Sequence, residues 1–351
     1  TASDNFPQIS NVETTFFPQN FYDIKLRTSM PLINSDLIYN QKIEKQQAVL
    51  KAYDVEIYKF ELIRNIKVAY YNYLSATQSV GIYNSALNLA TEGKRINESL
   101  LKNGKSVKAY VIRSESEVQQ LEAMKNAAIQ QQNNAQLYFN FLINTPFETP
   151  IDTTGMAQLN NALVQTYLVS EASVAKRSEL KALNQSVLVY ENVVKMNKAY
   201  WYPRLSAFVD LGSQGSNWQF DNKSRYYFLG VQLDVPLFAS GKNHFKTTQS
   251  QLDLKNQNLQ TEQINRQLQL SAKVSKNALA TAYQNYLSAV KQAEAAQTYN
   301  YLIETGYKEG VNTFIETIDA RNQLTTANLQ MVISKYQLLS AVATYEREIS
   351  N

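Results

Sequence analysis

"YYFLGVQLDVPLFASGK", residues 226–242, holds two kinds of structure back to back. In its first half Tyr227, Leu229, Val231, Leu233 and Val235 point one way, and Phe228, Gly230, Gln232 and Asp234 point the other. That period of two is the mark of a strand. Pro236 has no N–H to give a ladder, and Gly241 closes a short connection. From Lys242 to Thr305 the chain has neither Gly nor Pro and is rich in Gln and Asn. It reads as one helix, so a strand is expected to run almost directly into a very long helix.

The same alternation occurs twice more. In residues 205–212, Leu205, Ala207, Val209 and Leu211 oppose Ser206, Phe208, Asp210 and Gly212. In residues 22–30, Tyr22, Ile24, Leu26, Thr28 and Met30 oppose Asp23, Lys25, Arg27 and Ser29. About nine residues suffice for a tilted strand to cross a bilayer, and one apolar face against one polar face suits a barrel with lipid outside and water inside. A soluble sheet covered on one side uses the same alternation. Aromatic residues flank the segments (Tyr200, Trp201, Tyr202; Trp218, Phe220, Tyr226), as in interfacial girdles. Beyond its long helices the chain offers no amphipathic layer to cover a soluble sheet. Three strands cannot close a barrel, which needs about eight, so a membrane barrel would require several chains.

Gly and Pro punctuate the remainder. Helices are expected over 36–102, 107–143, 157–200, 242–308 and 313–349, with breaks at 1–20, 103–106, 144–155, 212–224, 239–241 and 306–312. A helix of about 67 residues is ~100 Å long, which suggests a coiled coil or long hairpin. In the last helix Ala320, Ala327, Ser334 and Ala341 recur every seven residues, and Leu324, Met331, Leu338 and Tyr345 follow four behind. This is a heptad seam suited to knobs-into-holes packing. Ile333, Tyr336 and Leu339 lie off the seam, so neighbours are expected on more than one side. Ala278, Ala282, Ala289, Ala293 and Ala296 form a small-residue stripe on the preceding helix. A soluble antiparallel coiled coil with no transport role fits this periodicity equally.

Composition excludes several chemistries. There is no Cys, hence no disulfide framework or thiolate, and a single His, His244, which is expected to make a local polar contact. Nucleophile triads and His/Cys metal clusters are therefore out, and the carboxylates form no recognisable catalytic motif. Neither enzymatic activity nor a cofactor or metal is expected. The net charge of +4 is spread along the chain, which argues against nucleic acid as the main partner. No run approaches the ~18 apolar residues of a spanning helix. The opening "TASDNFPQIS" is not a signal peptide, so the sequence is expected to be cytoplasmic, or already processed or trimmed.

The chain repeats itself. "TSMPLINSD" (28–36) resembles "LDVPLFASG" (233–241), "AYYNYLSA" (69–76) resembles "AYQNYLSA" (282–289), and "NGKSVKAYVIRSESEVQQL" (103–121) resembles "EGVNTFIETIDARNQLTTA" (309–327). The unit is strand, long helix, tip turn, returning helix. A helix and a strand precede the second copy, and their counterparts should stand before residue 1, so the sequence is expected to lack its own beginning, including one strand.

In this order, Pro203 with Leu205, "GVQLDVPLFASGK" (230–242), "RSELKAL" (177–183) and "YKEGVNTFIETIDARNQL" (307–324) resemble the TolC-like outer membrane efflux proteins over essentially the whole chain. The resemblance implies a mixed fold: a trimer whose protomers each lend four strands to one twelve-stranded membrane β-barrel, above an α-helical coiled-coil barrel crossing the periplasm. It divides the chain into 1–31 (extracellular loop and strand), 32–143 (first helical hairpin), 144–202 (equatorial segment and helix), 203–238 (strand pair) and 239–351 (second hairpin). Asp23, Lys25, Arg27, Asp210, Gln232 and Asp234 would line the lumen, and their mixed signs imply a wide, weakly selective channel. Glu316 and Asp319, at i and i+3 on one helix face, match the positions of acidic rings at the periplasmic entrance. Such rings attract cations and raise some carboxyl pKa values; equally, acids simply suit the first turns of a helix. Tyr307 matches a position that links the closed helices. Tyr110 stands where its acidic partner would be, and Asn312 where a base would be, so the gate is expected to close more by packing. The tips, Gly104, Lys105 and Ser106 with Gly310, Val311 and Asn312, would dock a periplasmic adaptor, or membrane fusion protein. The implied role is the outer membrane duct of a tripartite efflux or type I secretion system, opened by that adaptor and an inner-membrane pump of RND or ABC type. The alternative is a periplasmic coiled-coil scaffold or adaptor with no membrane-spanning part.

Overall fold

The computed structural model describes residues 20–153, 159–216 and 218–349. The elements are β1 (Phe21–Ile33), α1 (Ser35–Lys102), α2 (Lys108–Leu142), α3 (Asn161–Val169), α4 (Ser178–Lys198), a 3₁₀ turn (Ala199–Trp201), β2 (Arg204–Ser216), β3 (Arg225–Asp234), α5 (Lys242–Lys308) and α6 (Phe314–Ile349). Four helices lie where Gly and Pro punctuation put them. Of the break expected at 1–20, residues 1–19 fall outside the described residues, as do 157–158 of the helix expected from 157, which begins at Asn161.

The single helix expected over 157–200 is instead two, α3 and α4. No Gly or Pro marks the break at 170–177; tertiary contacts make it. The Ser170 carbonyl accepts from Lys276 Nζ at 2.6 Å. Val174 is buried, and the buried Arg177 reaches Glu348. The strands are longer than expected. β1 continues through Pro31 because the ladder shifts register between Pro31 and Ile33, a place where a residue without an N–H is tolerated. β2 runs to Ser216, into residues expected as turn.

The chain forms two compact units, Thr1–Ala48 with Ser186–Asn258, and Val49–Gln185 with Leu259–Asn351. The first holds an antiparallel sheet in the order β1-β2-β3. Cross-strand partners share a face of a sheet, so the register sorts the side chains. Arg27 pairs with Asp210 and Asp210 with Phe228, while Leu26 pairs with Leu211 and Leu211 with Tyr227. Aromatic rings cover glycines directly across the ladder: a Cβ on Gly230 would meet the Phe208 ring, and one on Gly212 the Tyr226 ring. Below the sheet, Asn34 Oδ1 caps α1 by accepting from the Asp36 and Leu37 amides at 3.0 and 3.4 Å. Arg204 pairs with Asp36 at 2.8 Å, and Ser35 Oγ donates to the Ala199 carbonyl at 3.2 Å.

In the second unit α6 is the central element. Its Val332, Tyr336 and Leu339 bury against Tyr73 and Leu74 of α1. Its Leu338, Val342 and Tyr345 bury against Leu279 of α5 and Val164 of α3. The helix thus has apolar neighbours on two sides. On the heptad seam Ala320, Ser334, Leu338 and Tyr345 are buried, while Ala327, Leu324 and Met331 are half-buried. Two assignments need correction: Ile333 is exposed, and so is Ala278, although Ala289 and Ala293 of its stripe are buried. Both point away from the packed sides of their helices.

Candidate functional site

Two features can bear function: the two-faced sheet, and the tips of the helical hairpins. On the polar face of the sheet, Arg27 grips Asp210 with two bonds of 2.6 Å, from Nε and Nη2. The same guanidinium lies 4.6 Å from the centre of the Phe208 ring, and Phe208 leans on Phe228. Asp23 accepts from the Tyr226 hydroxyl at 2.7 Å and from Lys25 Nζ at 3.1 Å. Five of the residues expected to line a lumen (Asp23, Lys25, Arg27, Asp210, Gln232) therefore share one face, and Asp234, opposite Arg204, continues it. Asp210 is only 3% exposed under its partners, so a charged lining is here largely paired. The other face carries Ile24, Leu26, Met30, Leu229, Val231 and Leu233, all exposed. At one end of it Tyr22 stacks on Trp218 and packs against Phe220. β1 and β3 each pair on one side only among the described residues.

The two tips share one backbone solution. Gly104 and Gly310 have φ of 67° and 77°, the left-handed conformation that glycine adopts most easily. Gly104 N–H donates to the Leu101 carbonyl and Lys105 N–H to that of Leu100; Gly310 N–H donates to Tyr307 and Val311 N–H to Gly306. This paired pattern is the Schellman closure, which satisfies the last carbonyls of a helix. Lys105 and Val311 stand exposed, Ser106 half-buried. Asn312 folds back, its side-chain oxygen over Gly306, where a Cβ would collide.

The tips differ in how the return helix starts. Thr313 Oγ1 accepts from the Glu316 N–H at 3.3 Å. Glu316 Oε2 accepts from the Thr313 N–H at 2.6 Å, from Thr313 Oγ1 at 3.0 Å and from Asn312 Nδ2 at 3.4 Å. This is a reciprocal capping box, legible in the sequence as Thr-x-x-Glu. The backbone bond from Thr313, then its hydroxyl and Asn312, hold the Glu316 carboxyl below the usual range. Asp319 is exposed and accepts from Gln323 Nε2 at 2.7 Å. Val107, which starts α2, has no side-chain cap. Thr313→Ala should therefore cost about 1 kcal/mol, the typical loss on removing an N-cap, and speed amide exchange in the first turn of α6. Exchange unchanged there would show that the box holds nothing.

Phe314, which no sequence motif singles out, joins the tips. It is buried, with its ring 5.4 Å from that of Tyr110 and 6.2 Å from that of Tyr307. Burial pushes the Tyr307 hydroxyl pKa up. Behind the tips, buried Asn97 donates to Ser114 at 2.9 Å, tying α1 to α2, and Arg321 pairs with Glu304 at 2.9 Å, tying α6 to α5. Glu117 lines a cavity of about 560 Å³ with Leu121, Arg321 and Val332. Burial raises its pKa, with Arg321 and Arg113 opposing.

The described chain thus combines an open sheet with one apolar and one charged face and long helical hairpins closed by glycine. Residues 169–347, just over half the chain, match the family described as outer membrane efflux protein. The alkaline protease secretion protein AprF of Pseudomonas aeruginosa is 21% identical over 332 residues, 92% of this chain and 68% of AprF. The outer-membrane channel OprN has the same fold, with a TM-score of 0.76 at 16% identity over 94% of this chain and 75% of OprN. So does the CmeC outer membrane channel of Campylobacter jejuni, with a TM-score of 0.75 at 15% identity over 94% and 71% of the two chains. The chain belongs to the outer membrane efflux protein family, and its fold is that of the TolC-like channels.

Proposed function

We propose that the protein is a passive duct through the outer membrane, with no catalytic step of its own, built from three copies whose sheets join edge to edge into one barrel. The carrying observation is the two-faced, open-edged sheet. Unpaired backbone in lipid costs several kcal/mol per group, so β1 and β3 call for strands from neighbouring copies. A periplasmic scaffold would leave the exposed apolar face against water, which disfavours that reading. The α-helical hairpins then form the periplasmic tunnel, and their tips dock an adaptor that couples the duct to an inner-membrane pump. AprF, a secretion protein, and OprN, a channel, both support export as the task.

Glu316 and Asp319 are the proposed entrance ring. The capping box engages Glu316 Oε2 and leaves Oε1 without a bond among the described residues. Within one chain its bonds to Thr313 and Asn312 lower its pKa and favour the ionised form, which a cation-attracting ring uses, against the repulsion of neighbouring copies. In planar bilayers the full-length trimer should conduct in discrete steps and be blocked by multivalent cations. Glu316→Ala with Asp319→Ala should keep conduction but lose cation preference and block. An unchanged block would dismiss the ring. A full-length protein that stays monomeric and dissolved without detergent would dismiss the duct.

A further inference from the structure

The apolar stripe of β3 does not stop with the strand. Tyr227, Leu229, Val231 and Leu233 continue in the same alternation to Val235 and Leu237. Leu237 is 87% exposed, Phe238 84% and Phe245 71%. Large apolar side chains exposed this fully and this near one another in sequence mark an interaction surface. Directly after it α5 places Lys242, Phe245 and Lys246 at i, i+3 and i+4, one face of a helix. Both lysines are exposed, and their ammonium groups make no hydrogen bond or ion pair among the described residues. The first turn of α5 contains no acid to neutralise them. The corresponding corner after β1 is different: its first turn carries Asp36, bound to Arg204 at 2.8 Å. The cationic corner is thus specific to the second repeat.

We infer that this corner is a docking surface for anionic phospholipids of the leaflet it meets. Acyl chains lie against Val235, Leu237, Phe238 and Phe245, and headgroup phosphates sit on Lys242 and Lys246. The inference rests on the reading that β1–β3 lie in a bilayer. Two observations select lipid as the occupant. The apolar patch is continuous with the proposed lipid face of β3, and the cations stand at its border, where long lysine stems can follow an apolar surface while the ammonium reaches the headgroups. A second protein chain covering the same patch would have to desolvate two unpaired ammonium groups. Each cation near an anionic leaflet adds about 1 kcal/mol.

The test uses the full-length protein in nanodiscs of phosphatidylethanolamine with a minority of phosphatidylglycerol, and reads by native mass spectrometry the lipids that stay bound on release. Wild type should retain phosphatidylglycerol above its bulk share. Lys242→Gln with Lys246→Gln should lower that enrichment about fivefold per lysine without loss of the oligomer. Lys242→Arg with Lys246→Arg should restore it, and Lys291→Gln, remote in sequence on α5, should leave it alone. Equal enrichment in wild type and the glutamine variant would overturn the proposal. An oligomer that falls apart in the glutamine variant would overturn it in favour of a second copy as occupant. Wild type that does not enter the bilayer at all would overturn the channel reading itself, and this inference with it.

Discussion

Replacing Leu229 with arginine is expected to abolish the heat-sensitive oligomer in membranes, whereas Gln232→Arg, three residues on, should leave it intact. Leu229 lies mid-strand on the apolar face, 73% exposed, and is paired with Val209. Gln232 lies on the opposite face, paired with Ser206. An arginine facing lipid at the bilayer midplane costs about 2–4 kcal/mol in a transmembrane barrel, and every copy in the assembly would carry it. The same arginine facing a water-filled lumen keeps its hydration. Membrane fractions of cells expressing each variant, run on gels with and without heating, make the measurement. If Leu229→Arg assembles as well as Gln232→Arg, the sheet does not sit in lipid.

The second large effect is expected in the helical unit. Arg177 is 3% exposed. It bonds Glu179 through Nη2 at 2.7 Å and Nε at 3.1 Å, and Glu348 through Nη1 at 2.5 Å. Arg347 shares Glu179 at 2.5 Å and approaches Glu61 at 3.4 Å. The cluster fastens the start of α4 to the end of α6 and to α1. Arg177→Met should lower stability by about 3–5 kcal/mol, because Glu348 loses its cation and Glu179 one of its two while both are still shielded from water. The pH response checks the cause. Burial alone would raise the Glu179 pKa, but hydrogen bonds from Arg177 and Arg347 outweigh it and hold it at about 2, below the ordinary 4.5. A folded pKa below the unfolded one stabilises fully above the ordinary value and is lost as pH falls toward the folded value. Wild type should therefore lose stability between about pH 4.5 and 2, and Arg177→Met, which keeps only the Arg347 bond to Glu179, should lose less in that window. Thermal unfolding of both across that range would refute the argument if the variant matched wild type in midpoint or in acid slope.

What the sequence made legible follows from how local each signal is. Alternation over β3 and the Pro236–Gly241 corner depend on neighbours along the chain, so strand, break and helix could be read directly. The faces of the sheet followed too, since a period of two leaves no choice. The break at 170–177 was hidden because distant groups make it: Lys276 and Glu348 are supplied by α5 and α6. Phe314 was invisible as a hub for the same reason, its partners being Tyr110 on the other hairpin and Tyr307 across the tip. "RSELKAL" carries a family resemblance, but nothing in its local pattern buries its arginine among carboxylates; Glu348, from the far end of the chain, does. Glu316 is the instructive case. Its Thr-x-x-Glu spacing marks a cap, and the bonds of that cap, not its charge, orient the carboxylate.

The unlike starts of the two return helices have a mechanical consequence. Thr313 and Glu316 lock the first turn of α6, while α2 begins at Val107 with backbone bonding alone. The two hairpins are therefore matched in outline but not in how firmly their return helices are capped. A tube assembled from such staves would alternate firm and yielding ones around its mouth, and a push applied evenly there would bend the yielding set first.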